Sequence, residues 1–417
     1  MNFDQITLKN GLRIIGERIP HFRSVSVGFW IGSGSQYETP EEAGLSHFLE
    51  HMVFKGTKKR NTRQIAEEMD RVGGQLNAFT SKECTCFYAK VVDEHLPLAM
   101  DILSDLVTAP TFDPQELEKE KGVVIEEIGM SEDDPEDCAS ELLMQAHYGL
   151  QPIALPILGT SEKISAYTSE DLRAYWQKIY RPQNAVLSLA GNYDWENVIA
   201  LAESLLNDWS ADGFSARSVH TQPVPVQMLC KEKDIEQIHI CLGYPGLPIG
   251  AERGYELSIF SSVFGGAMSS RLFQKIREEK GAAYTVYSYP NAYTDSGMLA
   301  VYAGTNPDAA AEVYGMLLEE AKKLADSGMT RDEFTMAHDQ LKAGYILGLE
   351  STSSRMHSIG RRLLLLGNTR TEEEVIDYLN AVDFDSTNAL MHDILTAPHS
   401  VSLVGKNAKA VAKQIQP

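Results

Sequence analysis

Strand-like and helix-like patterns of apolar residues alternate along this 417-residue chain. A β-branched run typical of a buried strand occupies residues 24–30, and a similar run occupies residues 237–244. Each run is followed by a stretch in which apolar residues recur three or four positions apart, as they do on an amphipathic helix. Strands alternating with long helices predict an α+β fold in both halves of the chain.

Capping residues indicate where several helices begin. Thr39 is followed by proline and then by Glu42, so we predict a helix that begins at Thr39 and stops near Gly56. Further helices are predicted after Asp113 and after Thr330, because each residue is followed three positions later by glutamate.

The two halves resemble copies of one unit in which only the first carries chemistry. Aligning them by their strand runs and capped helices places polar residues opposite apolar or small ones: His47, Glu50 and His51 opposite Ile259, Ser262 and Val263, and Glu120 and Glu127 opposite Ala337 and Gly344. Residues 208–227 lack periodicity and are rich in small residues. We therefore predict two homologous domains, 1–210 and 228–417, joined by a linker at 211–227.

Composition excludes several classes of function. The chain has 37 basic and 58 acidic residues, a net charge of −21, which argues against nucleic-acid binding. The acidic excess fits either a solvated surface or a cavity that attracts basic peptides. No apolar run approaches the roughly 20 residues of a membrane span, so no membrane partner is expected. Five cysteines and no visible secretory leader predict a cytoplasmic protein.

Two histidines on the first predicted helix have the spacing of metal ligands. His47 and His51 are one helical turn apart and project from one face, with Glu50 beside them. Two imidazoles at this spacing can bind one Zn²⁺, and a carboxylate between them can take a proton from the attacking water. A merely polar helix face is the alternative interpretation.

A catalytic zinc site needs a third protein ligand. Glu120 and Glu127 lie seven residues apart on the helix after Asp113 and share one of its faces, whereas Glu126 points away. The residues between them are apolar, so an unpaired carboxylate there would be costly. Both glutamates are therefore candidates for the site.

The run from His47 to Thr57 resembles the zinc helix of the pitrilysin and insulysin class of zinc peptidases, most closely the mitochondrial-processing-peptidase-like branch. The resemblance covers essentially the whole chain. It implies one zinc ion per chain, with Glu127 as the third ligand and Glu120 assisting from outside the metal's ligands. It also implies that each half is a mainly antiparallel β-sheet flanked by α-helices.

The resemblance also assigns residues to substrate binding. Residues 74–80 resemble the family's edge strand, whose backbone pairs with an extended peptide; Asn77 and Ala78 match its contact residues, and Phe79 follows them. Asp137 and Glu141 match acidic positions that hold a substrate arginine. The alternatives are an ordinary strand and a solvated acidic helix.

One further pair comes from the half without metal ligands. Arg277 and Tyr284 match an arginine and a tyrosine that, in the family, hold peptide carbonyls and share the oxyanion charge. The alternative is a surface arginine and a core tyrosine.

The resulting prediction is a zinc metalloendopeptidase. We expect it to hydrolyse peptides or unfolded precursor segments inside an enclosed chamber, with a preference for basic substrates, and to pair as a homodimer. The alternative is a non-catalytic scaffold or processing-complex subunit of the same fold, which would predict a damaged motif. A serine or cysteine hydrolase is disfavoured because no nucleophile elbow or catalytic cysteine signature is present.

Overall fold

Two β-sheets and their covering helices make up the computed structural model, which describes residues 3–215, 218–222 and 224–415. The strands are β1 (Asp4–Thr7), β2 (Arg13–Arg18), β3 (Ser24–Ile31), β4 (Gln75–Thr80), β5 (Thr85–Val92), β6 (Ala185–Gly191), β7 (Met228–Glu232), β8 (Ile238–Pro245), β9 (Ala283–Ala292), β10 (Gly297–Thr305) and β11 (Ser400–Gly405).

Fifteen α-helices lie between or after these strands in the described part of the chain. They are α1 (Leu45–Val53), α2 (Thr62–Arg71), α3 (Leu96–Thr108), α4 (Pro114–Asp133), α5 (Pro135–Tyr148), α6 (Ser161–Ala166), α7 (Ser169–Ile179), α8 (Trp195–Leu206), α9 (Gly254–Ser261), α10 (Ala310–Ser327), α11 (Arg331–Gly348), α12 (Thr352–Leu366), α13 (Glu372–Asn380), α14 (Phe384–Thr396) and α15 (Ala408–Ile415). Among the helices that the structure describes, none combines the length and the apolarity needed to cross a bilayer.

The two sheets share one topology. The first has the strand order β1-β2-β6-β3-β5-β4 and the second the order β7-β11-β8-β10-β9. In each, one pair is parallel, β2 with β6 and β7 with β11, and the other pairs are antiparallel. This equivalence, extended by β1 in the first sheet, confirms the predicted fold class of two duplicated α+β domains.

The chain divides into two units, each built around one sheet. The first contains the chain up to Gly129 together with Leu155–Val219 and Ile346–Glu373, and the second contains the remainder. Within the first unit, α12 packs on β3 and β6; within the second, α5 packs on β8 and β11. An amphipathic pattern shows that a helix has an apolar face but not which sheet covers it. The predicted domain boundaries and the linker at 211–227 stay a prediction, and residues 216, 217 and 223 lie outside the described residues.

The core of the first unit follows the alternation along its strands. Val25, Val27 and Phe29 of β3 point into the cluster that α1 and α3 complete. Trp30 points to the opposite face, where Met356 of α12 joins the same cluster. Helices therefore cover both faces of the first sheet. Helix α1 is held rigidly on one of these faces, because the apolar side chains of α1 are buried there.

Candidate metal centre

The helix with the two histidines begins later than the sequence predicted. Thr39 and Glu42 do form a turn, with the Thr39 N–H donating to the Glu42 carboxylate at 3.1 Å, but helix α1 starts at Leu45. The buried carboxylate of Glu38 accepts instead from the backbone N–H groups of Gly44 (2.7 Å) and Ser46 (2.6 Å). The prediction of a start at Thr39 was wrong because Glu38, the residue just before Thr39, caps the helix at Gly44 and Ser46 in place of the predicted capping box.

Gly44 allows that start. Its φ of +87° is left-handed, and a Cβ there would lie 2.8 Å from the carbonyl oxygen of Leu158. The backbone that orients the metal helix therefore requires glycine at this position.

Three side chains converge above α1 with one ligand atom each. One nitrogen of His47, one nitrogen of His51 and a carboxylate oxygen of Glu127 lie within 4.8 Å of one another. The Nε2 atoms of His47 and His51 are 3.7 and 3.4 Å from Oε2 of Glu127. The two rings are 4.6 Å apart, as expected for residues four apart on a helix. The structure thus brings the three predicted ligands together.

The protonation state of His47 suits metal binding. Burial, with a smaller contribution from the neighbouring His51, lowers the pKa of His47 to about 4, so its imidazole is neutral at physiological pH. Neutral imidazole is the form that binds zinc. The Nδ1 atom of His47 is buried and has no hydrogen-bond partner among the described residues. Two imidazoles and a carboxylate form a donor set that zinc accepts, so the residues present fit the ion.

Glu120 lies behind His51 and not among the converging ligand atoms. Its carboxylate is 4% exposed; Oε1 is 2.8 Å from Nδ1 of His51, and Oε2 is 2.6 Å from Nζ of Lys55. Burial would raise the pKa of Glu120, but the hydrogen bonds from His51 and Lys55 outweigh it and lower that pKa. A charged Glu120 fixes the ring of His51 with Nε2 free for the metal.

Glu50, the predicted base, is held from another element. Its Oε2 accepts a hydrogen bond of 2.5 Å from the hydroxyl of Thr80, the last residue of β4. Burial raises the pKa of Glu50, and the charge of Glu127 adds to that rise, while Thr80 and His51 oppose it. A general base works best when its pKa lies near the operating pH, and the raised pKa of Glu50 moves this carboxylate in that direction.

The predicted substrate strand lies at the edge of its sheet. Strand β4 pairs only with β5 in the order of the first sheet. Asn77 is exposed, Ala78 packs against the core on the α1 side, and Phe79 packs beside Trp30 on the other face. The substrate-binding roles of these residues stay predictions.

The remaining predicted residues belong to the second unit. Asp137 is exposed and Glu141 half-buried on α5. Arg277 lies in a π-helical run, Phe273–Glu279, that precedes β9. Its guanidinium is 5.1 Å from the ring centre of Tyr284 in β9. Tyr284 is 76% exposed, so it is not a core tyrosine. The roles of all four also stay predictions.

Two residues in contact with the site were not singled out from the sequence. Lys55 lies four positions after His51, so helical spacing could have indicated its contact with Glu120. Thr80 follows Glu50 by thirty positions on a different element, and only the folded structure brings the two together.

Comparison with known families agrees with a metal site in the first half of the chain. The family described as insulinase, peptidase family M16, matches residues 13–161, which contain all three converging ligands. The peptidase M16 inactive domain matches residues 166–341. These residues are therefore similar to a domain that is described as inactive.

Relatives and solved structures extend the match to nearly the full chain. It is 45% identical to an uncharacterized zinc protease of Bacillus subtilis, over 95% of this chain and 97% of that protein. An uncharacterized zinc protease of Streptomyces coelicolor is 37% identical, over 96% of this chain and 88% of its own.

Two solved structures share the fold at low identity. A peptidase M16 inactive domain from Pseudomonas fluorescens gives a TM-score of 0.89 at 18% identity and covers 97% of this chain and 98% of its own. A protease from Helicobacter pylori gives a TM-score of 0.87 at 20% identity, over 97% of this chain and 99% of its own. The family matches and the relatives show that the chain belongs to peptidase family M16 and is a zinc metalloprotease.

Proposed function

We propose that this zinc protease is an endopeptidase that cuts peptides or unfolded precursor segments, with Glu50 as the general base. The carrying observation is that ligand atoms of His47 and His51, on the helix that also holds Glu50, lie within 4.8 Å of each other and of Glu127 on α4. The resemblance to processing peptidases supports an extended polypeptide as substrate, held in an enclosed chamber. Pairing as a homodimer and a cytoplasmic location stay predictions.

The residues around the site suggest how the reaction runs. His47 and His51 would hold the metal as neutral imidazoles and Glu127 as a carboxylate. Bound zinc supplies Lewis acidity, which polarises a carbonyl oxygen and makes water easier to deprotonate. Because Oε2 of Glu50 accepts from Thr80, Oε1 is the oxygen proposed to receive the water's proton and to pass it to the leaving amine.

Backbone pairing would align the substrate. An edge strand such as β4 presents N–H and C=O groups to an added strand, which gives affinity without strong sequence preference. Asn77 and Ala78 lie in the middle of this strand, and Thr80 ends it on the side of Glu50. A peptide paired with β4 would therefore run past the general base.

The preference for basic substrates rests on Asp137 and Glu141. Desolvation is the main cause that raises the pKa of Asp137, and the charges of Asp134 and Glu136 add to it. These neighbouring carboxylates would attract a guanidinium. Replacing both acids by lysine should remove any preference for arginine near the cut in a peptide library. The control variant has lysine in place of the exposed Glu203 and Asp208, which is the same change in charge. If the two double variants gave the same cleavage profile, the preference for basic substrates would be refuted.

The proposed activity is tested by zinc analysis and by cleavage of an unstructured polypeptide. Elemental analysis should find about one zinc per chain, and cleavage of the unstructured form should stop with a chelator and return with zinc. Chelator-resistant cleavage, or no cleavage by the zinc-loaded protein, would contradict the proposal.

A further inference from the structure

A chain of hydroxyl groups connects the general base to the sheet. Oγ1 of Thr80 lies 2.5 Å from Oε2 of Glu50 and 3.2 Å from Oγ1 of Thr85, the first residue of β5. The Thr85 hydroxyl in turn donates to the backbone carbonyl of Ser33 at 3.0 Å. These four groups run from the buried sheet to the site.

The direction of these hydrogen bonds is determined. Each threonine hydroxyl has one proton. Thr85 gives its proton to the Ser33 carbonyl, and the single proton of Thr80 can go to only one of its two neighbours, the Thr85 hydroxyl at 3.2 Å or the Glu50 carboxylate. The carboxylate of Glu50 at 2.5 Å is the stronger and nearer acceptor.

Thr80, which donates to Glu50, also lies on β4, the strand proposed to bind the substrate. Strand β4 alternates faces, with Ala78 and Thr80 towards α1 and Phe79 towards the opposite cluster. Thr80 is paired with Thr85 in the ladder, so its backbone is fixed while the outer edge of β4 is unpaired within the sheet. One residue therefore belongs both to the strand proposed to bind substrate and to the hydrogen bond that orients the base.

We propose that Thr80 is a positioning residue that orients Glu50 and holds this base in register with a peptide bound along β4. Its hydroxyl occupies Oε2 and directs Oε1 to the attacking water. This inference rests on the proposed function, because it requires Glu50 to act as the base.

The test compares Thr80→Val, which removes the hydroxyl at nearly constant volume, with Thr80→Ser, which keeps it. Thr80→Val should lower kcat by about 10- to 100-fold, the range expected for losing a hydrogen bond to a charged group, with little change in KM or zinc content. Thr80→Ser should recover most of the wild-type kcat. Thr7→Val, at the end of the opposite edge strand β1, is exposed and should keep wild-type kinetics.

Several results would overturn the inference. Wild-type kcat in Thr80→Val, a rise in KM alone, or equal losses in the valine and serine variants would each show that the hydroxyl does not orient the base. Thermal unfolding identifies an unstable valine variant, in which case Thr80→Ala takes its place with the same expected loss. Glu50→Gln, measured in parallel, separates the two claims: an active Glu50→Gln refutes the proposed function itself, whereas an inactive one beside a fully active Thr80→Val refutes only the role of Thr80.

Discussion

Nδ1 of His51 donates a hydrogen bond of 2.8 Å to the buried carboxylate of Glu120. That bond fixes the tautomer of His51 and leaves its Nε2 lone pair directed to the side of Glu127. The corresponding Nδ1 of His47 is buried without a partner among the described residues. The two histidines are therefore held differently, His51 by a charged hydrogen bond and His47 by packing.

Replacing Glu120 should weaken the metal site without removing a ligand. In Glu120→Gln the His51 ring loses its charged acceptor, and Lys55 loses its counter-ion. We expect zinc affinity, measured by competition with a chelator, to fall by about 10- to 100-fold. Glu126→Gln, an exposed neighbour on α4, is the control. Equal zinc affinity in the two variants would show that Glu120 is only structural.

Gly44→Ala should destabilise the first unit. The added methyl group would require a left-handed backbone at φ +87° and would lie 2.8 Å from the Leu158 carbonyl oxygen. We expect a loss of about 2 kcal/mol in the free energy of unfolding, measured with urea. Gly254→Ala, at the first residue of α9, meets nothing within 4 Å and should be neutral or slightly stabilising. Similar stability of both variants would contradict this account of how α1 begins.

Glu333 should make stability depend on pH. Its hydrogen bonds from Arg271 are the main reason that its pKa is lowered to about 2, against an ordinary value of 4.5. Because the folded-state pKa is the lower one, this stabilisation is present above pH 4.5 and is lost as the pH falls towards 2.

The variant Glu333→Gln tests that dependence. Glutamine can still cap α11 at Thr330, but it lacks the charge that Arg271 binds. Near neutral pH it should be about 1 kcal/mol less stable than the wild type in urea unfolding, and the difference should narrow below about pH 4.5. A difference that does not change with pH would contradict the assignment.

Arg277 and Tyr284 should affect turnover if they contact the substrate as predicted. Arg277→Ala and Tyr284→Phe should each lower kcat by roughly 10²–10³, the effect of losing one oxyanion donor, with unchanged zinc content and thermal stability. Tyr378→Phe removes the hydroxyl of another exposed tyrosine of the second unit and should have no effect. Full activity in all three variants would remove the pair from the reaction.

The sequence, together with its family resemblance, was sufficient to predict the fold class and the residues that converge at the site. The helical spacing of His47 and His51, and of Glu120 and Glu127, is a local property of two helices, so it could be read directly. The capping box at Thr330 and Glu333 was likewise local, and the structure contains it. Patterns within one element are visible in a sequence because the backbone period fixes which side chains are neighbours.

Relationships between elements could not be predicted in the same way. Glu38 caps α1 from outside the helix, and Thr80 reaches Glu50 from a strand. Both contacts depend on how the chain folds back, which no single-element period encodes. The packing of α12 on the first sheet is of the same kind, since its apolar face would suit either sheet.

The most direct test of the central claim measures zinc content and peptide turnover together in Glu50→Gln and Glu127→Gln. Glu50→Gln should retain about one zinc per chain, because its ligands remain, and should show no turnover, because the general base is lost. Glu127→Gln should lose zinc and turnover together, since a neutral amide is a poorer ligand than a carboxylate. Substantial turnover by Glu50→Gln, or full zinc occupancy in Glu127→Gln, would contradict the account.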